Sequence, residues 1–193
     1  HTRYPTVGEG SVEDAQPFWI NYPFGIAGAH NGNVTNFLDL KQELFTRSQK
    51  IINSNCDVEV ILNIFAQYIE KFRTKESTPE IIFNAVRYVY KRVKGSYSVV
   101  LHIADRGMVG FRDPFGLRPL VFGTNNDNLV PSYAFASESV ALDVMGFKNL
   151  RDLEPGSAIF IDKHKKVHEK RIVSKPFRPC IFEYIYFARP DSK

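Results

Sequence analysis

The hydrophobic period of this chain changes once, near Gly95, and that change limits the folds open to it. Before Gly95 apolar residues recur at helical spacing. One run carries Val58, Ile61, Leu62, Phe65, Ile69 and Phe72, and the next carries Ile81, Ile82, Ala85, Val86, Val89 and Val93. A one-sided stripe with a period near 3.6 marks helices laid on a core. After Gly95 the period is two. Residues 96–104 read as a strand, Asp105-Arg106-Gly107 as a turn and 108–111 as the returning strand. Asp113-Pro114-Phe115-Gly116 is a second turn, followed by a strand over 117–122. Residues 133–137 read as a strand entering a short helix, 138–145, and 156–162 pairs with 167–173 as a hairpin. The segment 182–188 is aromatic and strand-like. Helices grouped together, then antiparallel meanders, predict an α+β fold and argue against a doubly wound parallel sheet.

The front of the chain is less regular. Pro5, Gly8, Gly10, Pro17 and Pro23 make residues 1–24 turn-rich, and 25–30 reads as a buried strand. Asn33 or Thr35 is placed to cap a first helix that runs to about Phe45. A second helix begins at Asp57. A third begins at Thr78-Pro79-Glu80, where Thr caps, Pro occupies the first turn and Glu suits the helix dipole.

Charge and cysteine content exclude several classes. The 25 basic and 21 acidic residues nearly cancel, and the basic ones are scattered except for Lys163-His164-Lys165-Lys166. That run lies between two strands and reads as a solvated hairpin tip, so no nucleic-acid stripe is present. No apolar run approaches the roughly 20 residues of a membrane span. Cys56 and Cys180 are the two cysteines, which is neither a disulfide framework nor a zinc pattern and fits a reducing, cytoplasmic setting. Phosphate-loop, dinucleotide, HExxH and GxSxG motifs are missing from these 193 residues.

Four positions carry the chemistry. Asn31-Gly32 offers a side-chain amide and a backbone N–H, two donors of the kind an oxyanion hole needs. In isolation the same pair is the strongest two-residue hairpin turn, but here a helical pattern follows it. Arg3, beside Pro5 and Thr6, is either a surface arginine or a fork for a substrate carboxylate. Asp57 is either a helix cap or the acceptor of a substrate ammonium, and one carboxylate has oxygens for both. His30 reads as a structural histidine. Cys56 reads as a bystander, because an adjacent carboxylate raises a thiol pKa. Cys180 reads as inert. Arg112, Asp113 and Arg118 read as a turn held by ion pairs.

Taken together the segments resemble the class II glutamine amidotransferases, whose glutaminase domain is an N-terminal-nucleophile hydrolase. The residues that carry the resemblance are HTRYPT (1–6), AQPF (15–18), AHNGNVTN (29–36), Asp57-Val58-Glu59, Lys94-Gly95-Ser96-Tyr97-Ser98, FRDPFGLRPL (111–120), ASESVAL (136–142), Leu153-Glu154-Pro155-Gly156 and FEYIYFARPDS (182–192). The last is characteristic of the branch that feeds ammonia into purine synthesis. Cys56 and Val58 depart from the small hydroxyl residues usual beside the Asp.

The resemblance implies a four-layer α-β-β-α sandwich, with residues 1–175 as the amidotransferase domain and 176–193 as the start of a connection to a phosphoribosyltransferase domain. It implies glutamine as a ligand: Arg3 and Thr6 for its carboxylate end, Asp57 for its ammonium, Asn31 and Gly32 for the tetrahedral oxyanion. The family's nucleophile is a cysteine at the mature N-terminus, ahead of the stretch that opens here, so the expectation is that these 193 residues alone hydrolyse no glutamine. The ammonia would go to phosphoribosyl pyrophosphate, giving phosphoribosylamine. Mg2+ is implied for the transferase domain and a homo-oligomer for the parent. Some family members carry an iron–sulfur cluster, and Cys180 stands where one ligand could lie. A non-catalytic glutamine-binding module is the alternative, and a cysteine heading the upstream sequence separates the two.

Overall fold

The computed structural model describes residues 14–72, 78–127 and 130–192. Its centre is an antiparallel six-stranded sheet in the order β1 (Phe18–Ile20), β2 (Ile26–Val34), β3 (Gly95–Ile103), β4 (Gly107–Arg112), β8 (Ser157–Asp162) and β9 (Val167–Arg171). A second antiparallel sheet has the order β6 (Ser132–Ala136), β5 (Val121–Asn125) and β7 (Lys148–Asp152). The helices are α1 (Phe37–Ser48), α2 (Asp57–Ile69), α3 (Pro79–Arg92) and the short α4 (Ser139–Val144).

Both faces of the six-stranded sheet are covered, and side-chain alternation sorts residues between them. On β3, Tyr97, Val99, Leu101 and Ile103 join the helices in the larger core, while Val100 turns to the other side. On β8, Ala158 and Phe160 face the helices, while Ile159 and Ile161 face the second sheet with Leu120, Phe122 and Leu153. Each of the Val, Leu, Ile and Phe side chains among them contributes roughly 1.5–3 kcal/mol through burial. Gly110 lets the sheets approach: a Cβ there would lie 2.5 Å from the Phe135 ring.

Helix α2 is the middle of the helical layer. Val58, Val60, Ile61, Leu62, Ile64, Phe65 and Ala66 are all fully buried, because β1 and β2 lie against one side and α1 and α3 against others. Its N-terminus is closed by Glu59, whose carboxylate accepts from Asn53 N, Ser54 N and Ser54 Oγ. For α3, Thr78 is the N-cap, with Oγ1 accepting from Ile81 N at 3.4 Å, and Pro79 opens the helix.

The structure departs from the sequence pattern in four places. Strand β2 continues to Val34, so α1 is capped at Asn36 and not at Asn33 or Thr35. The strand expected over 117–122 begins only at Val121, because Asp113 accepts the N–H groups of Leu117 and Arg118 and folds that backbone into the turn. Strands β1 and β7 occupy segments with no strand pattern. The aromatic stretch is a helical turn of π type over Glu183–Phe187. Strand propensity reflects packing on a pleated surface, and this segment pairs with neither sheet. The basic run 163–166 is exposed at the β8–β9 tip, where Asp162 accepts from His164 N and Lys166 N.

Candidate active site

Asn31 and Gly32 lie inside β2, opposite Ser98 and Tyr97 of β3. The pair is therefore neither a hairpin turn nor a strand-to-helix corner. Glycine is needed at 32 because the strands approach too closely for a side chain: a Cβ would lie 2.0 Å from Ser96 O and 2.7 Å from the Tyr97 Cα, at a φ of +154°.

Antiparallel pairing determines where the Gly32 N–H points. Ala104 N donates to Gly25 O at 2.8 Å and Thr35 N to Lys94 O at 2.9 Å, which makes odd-numbered residues of β2 the hydrogen-bonded ones. The even-numbered residues then turn their N–H and C=O groups away from β3. Tyr97 agrees, since its carbonyl accepts from Asp113 N on its other side. His30 N donates outward to Gln16 Oε1 and Val34 N outward to Asp57 Oδ2, both at 2.8 Å. Gly32 N–H lies between them on the same edge. Strand β1 reaches only Ile26, Ala27 and Gly28, and no acceptor among the described residues takes the Gly32 N–H.

The Asn31 side chain projects from the face of β2 opposite His30. Its Oδ1 accepts from Arg118 Nε at 2.8 Å and Arg118 Nη2 at 2.5 Å. Its Nδ2 donates to Ser137 Oγ at 3.2 Å, leaving one amide proton for a ligand. Arg118 Nη1 pairs with Glu183, and the guanidinium lies 5.1 Å from the centre of the Phe187 ring. Burial pushes the Glu183 carboxyl up, aided by Glu138 and opposed by Arg118 and Arg112.

Asp57 is the first residue of α2, with Cys56 as the N-cap, and its side chain reaches back to β2. Oδ1 lies 2.9 Å from His30 Nε2. The His30 tautomer follows from its other neighbour. Gln16 accepts the His30 N–H through Oε1, so its Nε2 faces His30 Nδ1, at 3.3 Å, which makes Nδ1 the acceptor and places the ring proton on Nε2, the nitrogen nearest Asp57. Burial pushes the Asp57 carboxyl up, but the His30 and Val34 contacts outweigh it and hold it below the ordinary carboxylate range. With Val34 N, its own backbone N–H and His30 as neighbours among the described residues, the two carboxylate oxygens retain capacity for a further donor.

Arg112 and Asp113 do not hold their turn by ion pairing. Arg112 donates to the carbonyls of Arg118, Leu153 and Gly116, and Asp113 accepts N–H groups from Phe115, Leu117, Arg118 and Tyr97. Arg118 belongs to the site instead. Its partner Glu183, and Ser137 on the Asn31 amide, were legible only as parts of FEYIYFARPDS and ASESVAL, with nothing in the spacing to join them. Cys56 is buried at 3.5 Å from Gln16 Nε2. Cys180 is a free, half-buried thiol, and no group of three or more metal-ligating side chains occurs among the described residues. Arg3 and Thr6 lie outside the described residues. No helix among the described residues is long and apolar enough to cross a membrane.

Two donors at neighbouring residues, one a side-chain amide with its oxygen already occupied and one an outward N–H that no acceptor among the described residues takes, suit the stabilisation of a developing oxyanion. The Asp57 carboxylate, held further along the same edge at Val34 N, suits a cationic ligand group. Residues 1–144 match the model of the glutamine amidotransferase domain, and the chain belongs to that family. Within it the similarity runs to amidophosphoribosyltransferase. The enzymes of Pasteurella multocida and Escherichia coli are each 46% identical, over 193 and 194 residues, covering all of this chain and 38% of theirs. The solved glutamine phosphoribosylpyrophosphate amidotransferase of B. subtilis, complexed with ADP and GMP, superimposes with a TM-score of 0.78 at 33% identity, over the whole of this chain and 39% of that one. The chain thus spans about two-fifths of the length of these relatives, over their glutamine amidotransferase part.

Proposed function

We propose that this chain is the glutaminase side of an amidophosphoribosyltransferase. The observation that supports this most directly is the outward Gly32 N–H next to the oriented Asn31 amide, flanked by the ionised Asp57. In the proposed reaction a cysteine thiolate attacks the amide carbon of glutamine. The carbonyl oxygen becomes an oxyanion, held by Asn31 Nδ2 and Gly32 N–H, and collapse of the adduct, with the proton the thiol gave up returned to the leaving nitrogen, expels ammonia and leaves a thioester. Water then hydrolyses the thioester through a second oxyanion at the same donors, releasing glutamate.

Asp57 receives the ammonium of glutamine, while Arg3 and Thr6 hold its carboxylate end. The nucleophile in this reading is the family's N-terminal cysteine and neither Cys56, which is buried beside Gln16, nor Cys180, so the 193 residues by themselves hydrolyse no glutamine. The layers are those of the α-β-β-α sandwich of N-terminal-nucleophile hydrolases. Residues 176–193 lead towards a phosphoribosyltransferase domain, where the ammonia displaces pyrophosphate from phosphoribosyl pyrophosphate with the aid of Mg2+.

The test is Asn31→Ala in the full-length enzyme that carries this domain. Glutamine hydrolysis falls about 10²–10³-fold in kcat, the usual cost of one oxyanion donor, while synthesis from added ammonia persists. Unchanged glutamine hydrolysis would overturn the proposal.

A further inference from the structure

Arg118 makes its contacts to Asn31 through the amide oxygen, Oδ1. An Asn side chain can present its oxygen or its nitrogen to a given neighbour, since the two orientations differ only by a half-turn of the amide. A guanidinium has donors and no acceptor. Whichever amide atom faces Arg118 must therefore be oxygen, and here that oxygen takes both Nε and Nη2. The flipped amide would set NH₂ against a cation. Nδ2 is thereby directed to Ser137, with its second proton free of any partner among the described residues.

Arg118 is itself fixed at both ends. Its carbonyl accepts from Arg112 Nε at 2.6 Å and Ser98 Oγ at 3.0 Å, which ties its backbone to β4 and β3. Its third nitrogen pairs with Glu183 and its plane packs near Phe187. A cation held in this way also polarises the amide, which makes the Nδ2 protons better donors.

We infer that Arg118 is a positioning residue for glutamine hydrolysis, locking the Asn31 amide so that Nδ2 is the donor offered to the oxyanion; this rests on the proposed role of Asn31. Arg118 does not touch the substrate. Its effect passes through Asn31 and appears in kcat, because the amide is needed most when charge develops.

The test is a double-mutant cycle on glutamine hydrolysis in the full-length enzyme, with Arg118→Met, Asn31→Ala and both together. Arg118→Met is expected to lower kcat about 10–100-fold, leaving KM for glutamine within about twofold and ammonia-dependent synthesis unchanged. In the Asn31→Ala background the same change is expected to have no further effect, since the amide it orients is gone. A full additional loss in that background, or a loss confined to KM, would overturn the inference while leaving the oxyanion role of Asn31 standing. If Asn31→Ala alone retains full kcat, the oxyanion reading fails and the inference with it. Should Arg118→Met not fold, Arg118→Lys replaces it: the charge remains but the two-pronged grip is lost, and kcat falls about tenfold. Wild-type kcat in Arg118→Lys would likewise overturn the inference.

Discussion

Replacing Gly32 by alanine asks whether the site and the fold depend on one close approach. The new Cβ would sit 2.0 Å from Ser96 O and 2.7 Å from the Tyr97 Cα, both backbone atoms that no rotamer change can move. Ordinary contact lies at about 3.5 Å, so β2 and β3 must part by about 1 Å or more. Overpacking of this kind costs roughly 1–3 kcal/mol. The φ of +154° adds a backbone term of about 1–2 kcal/mol for a residue with a side chain. The sum is about 2–5 kcal/mol. Gly146→Ala is the matched control, because its φ is +77° but the nearest atom to its new Cβ is Asn125 Nδ2, 4.0 Å away. It carries the backbone term alone, about 1–2 kcal/mol. Urea unfolding followed by far-ultraviolet circular dichroism reads the difference. With a slope of about 1–3 kcal/mol per molar urea, Gly32→Ala moves the midpoint down by about 1–2 M, and clearly further than Gly146→Ala. A Gly32→Ala midpoint equal to that of Gly146→Ala would refute the close-approach argument.

Three further outcomes follow from the same geometry. The Asp57 carboxyl is held below its ordinary value of 3.8, so its ionised form stabilises the fold fully above that value, and the contribution is lost as pH falls through the folded value. The stability gap between wild type and Asp57→Asn, measured by denaturation across pH, therefore narrows below about pH 4; a gap that widens on acidification would contradict the His30–Asp57 arrangement. Asp113→Asn puts one amide NH₂ among the donors Phe115 N, Leu117 N and Tyr97 N at a fully buried position, and calorimetry should show a loss of about 2–4 kcal/mol. Glu59→Ala removes the acceptor of Asn53 N, Ser54 N and Ser54 Oγ at the start of α2, for a loss of about 1–2 kcal/mol in urea denaturation.

The sequence revealed what depends on period and on local backbone chemistry. Helices α2 and α3 were legible from their apolar spacing, and the start of α3 from Thr78-Pro79-Glu80. The β3–β4 and β8–β9 hairpins were legible from alternation and their turns. What escaped depends on partners distant in sequence. Strand β1 is three residues long and exists because β2 offers it an edge. Residues 117–120 have strand composition, but Asp113 and Arg112 claim their backbone. The segment at 182–188 has strand propensity and no sheet to join. At the site, Asn31 and Gly32 stood out as a pair, yet their setting within a strand, with Gly32 N–H facing outward, required the β2–β3 register. Arg118 was visible as a charge in a turn. Its grip on Asn31, 87 positions away, was not.

The most direct measurement is a crystal structure of the full-length enzyme that carries this domain, with a glutamine-derived aldehyde trapped on the nucleophilic cysteine as a tetrahedral adduct. The account predicts the adduct oxygen within about 2.7–3.1 Å of both Asn31 Nδ2 and Gly32 N, with Arg118 still on Asn31 Oδ1. An adduct oxygen bound by other donors, with Gly32 N–H turned away from it, would contradict the account.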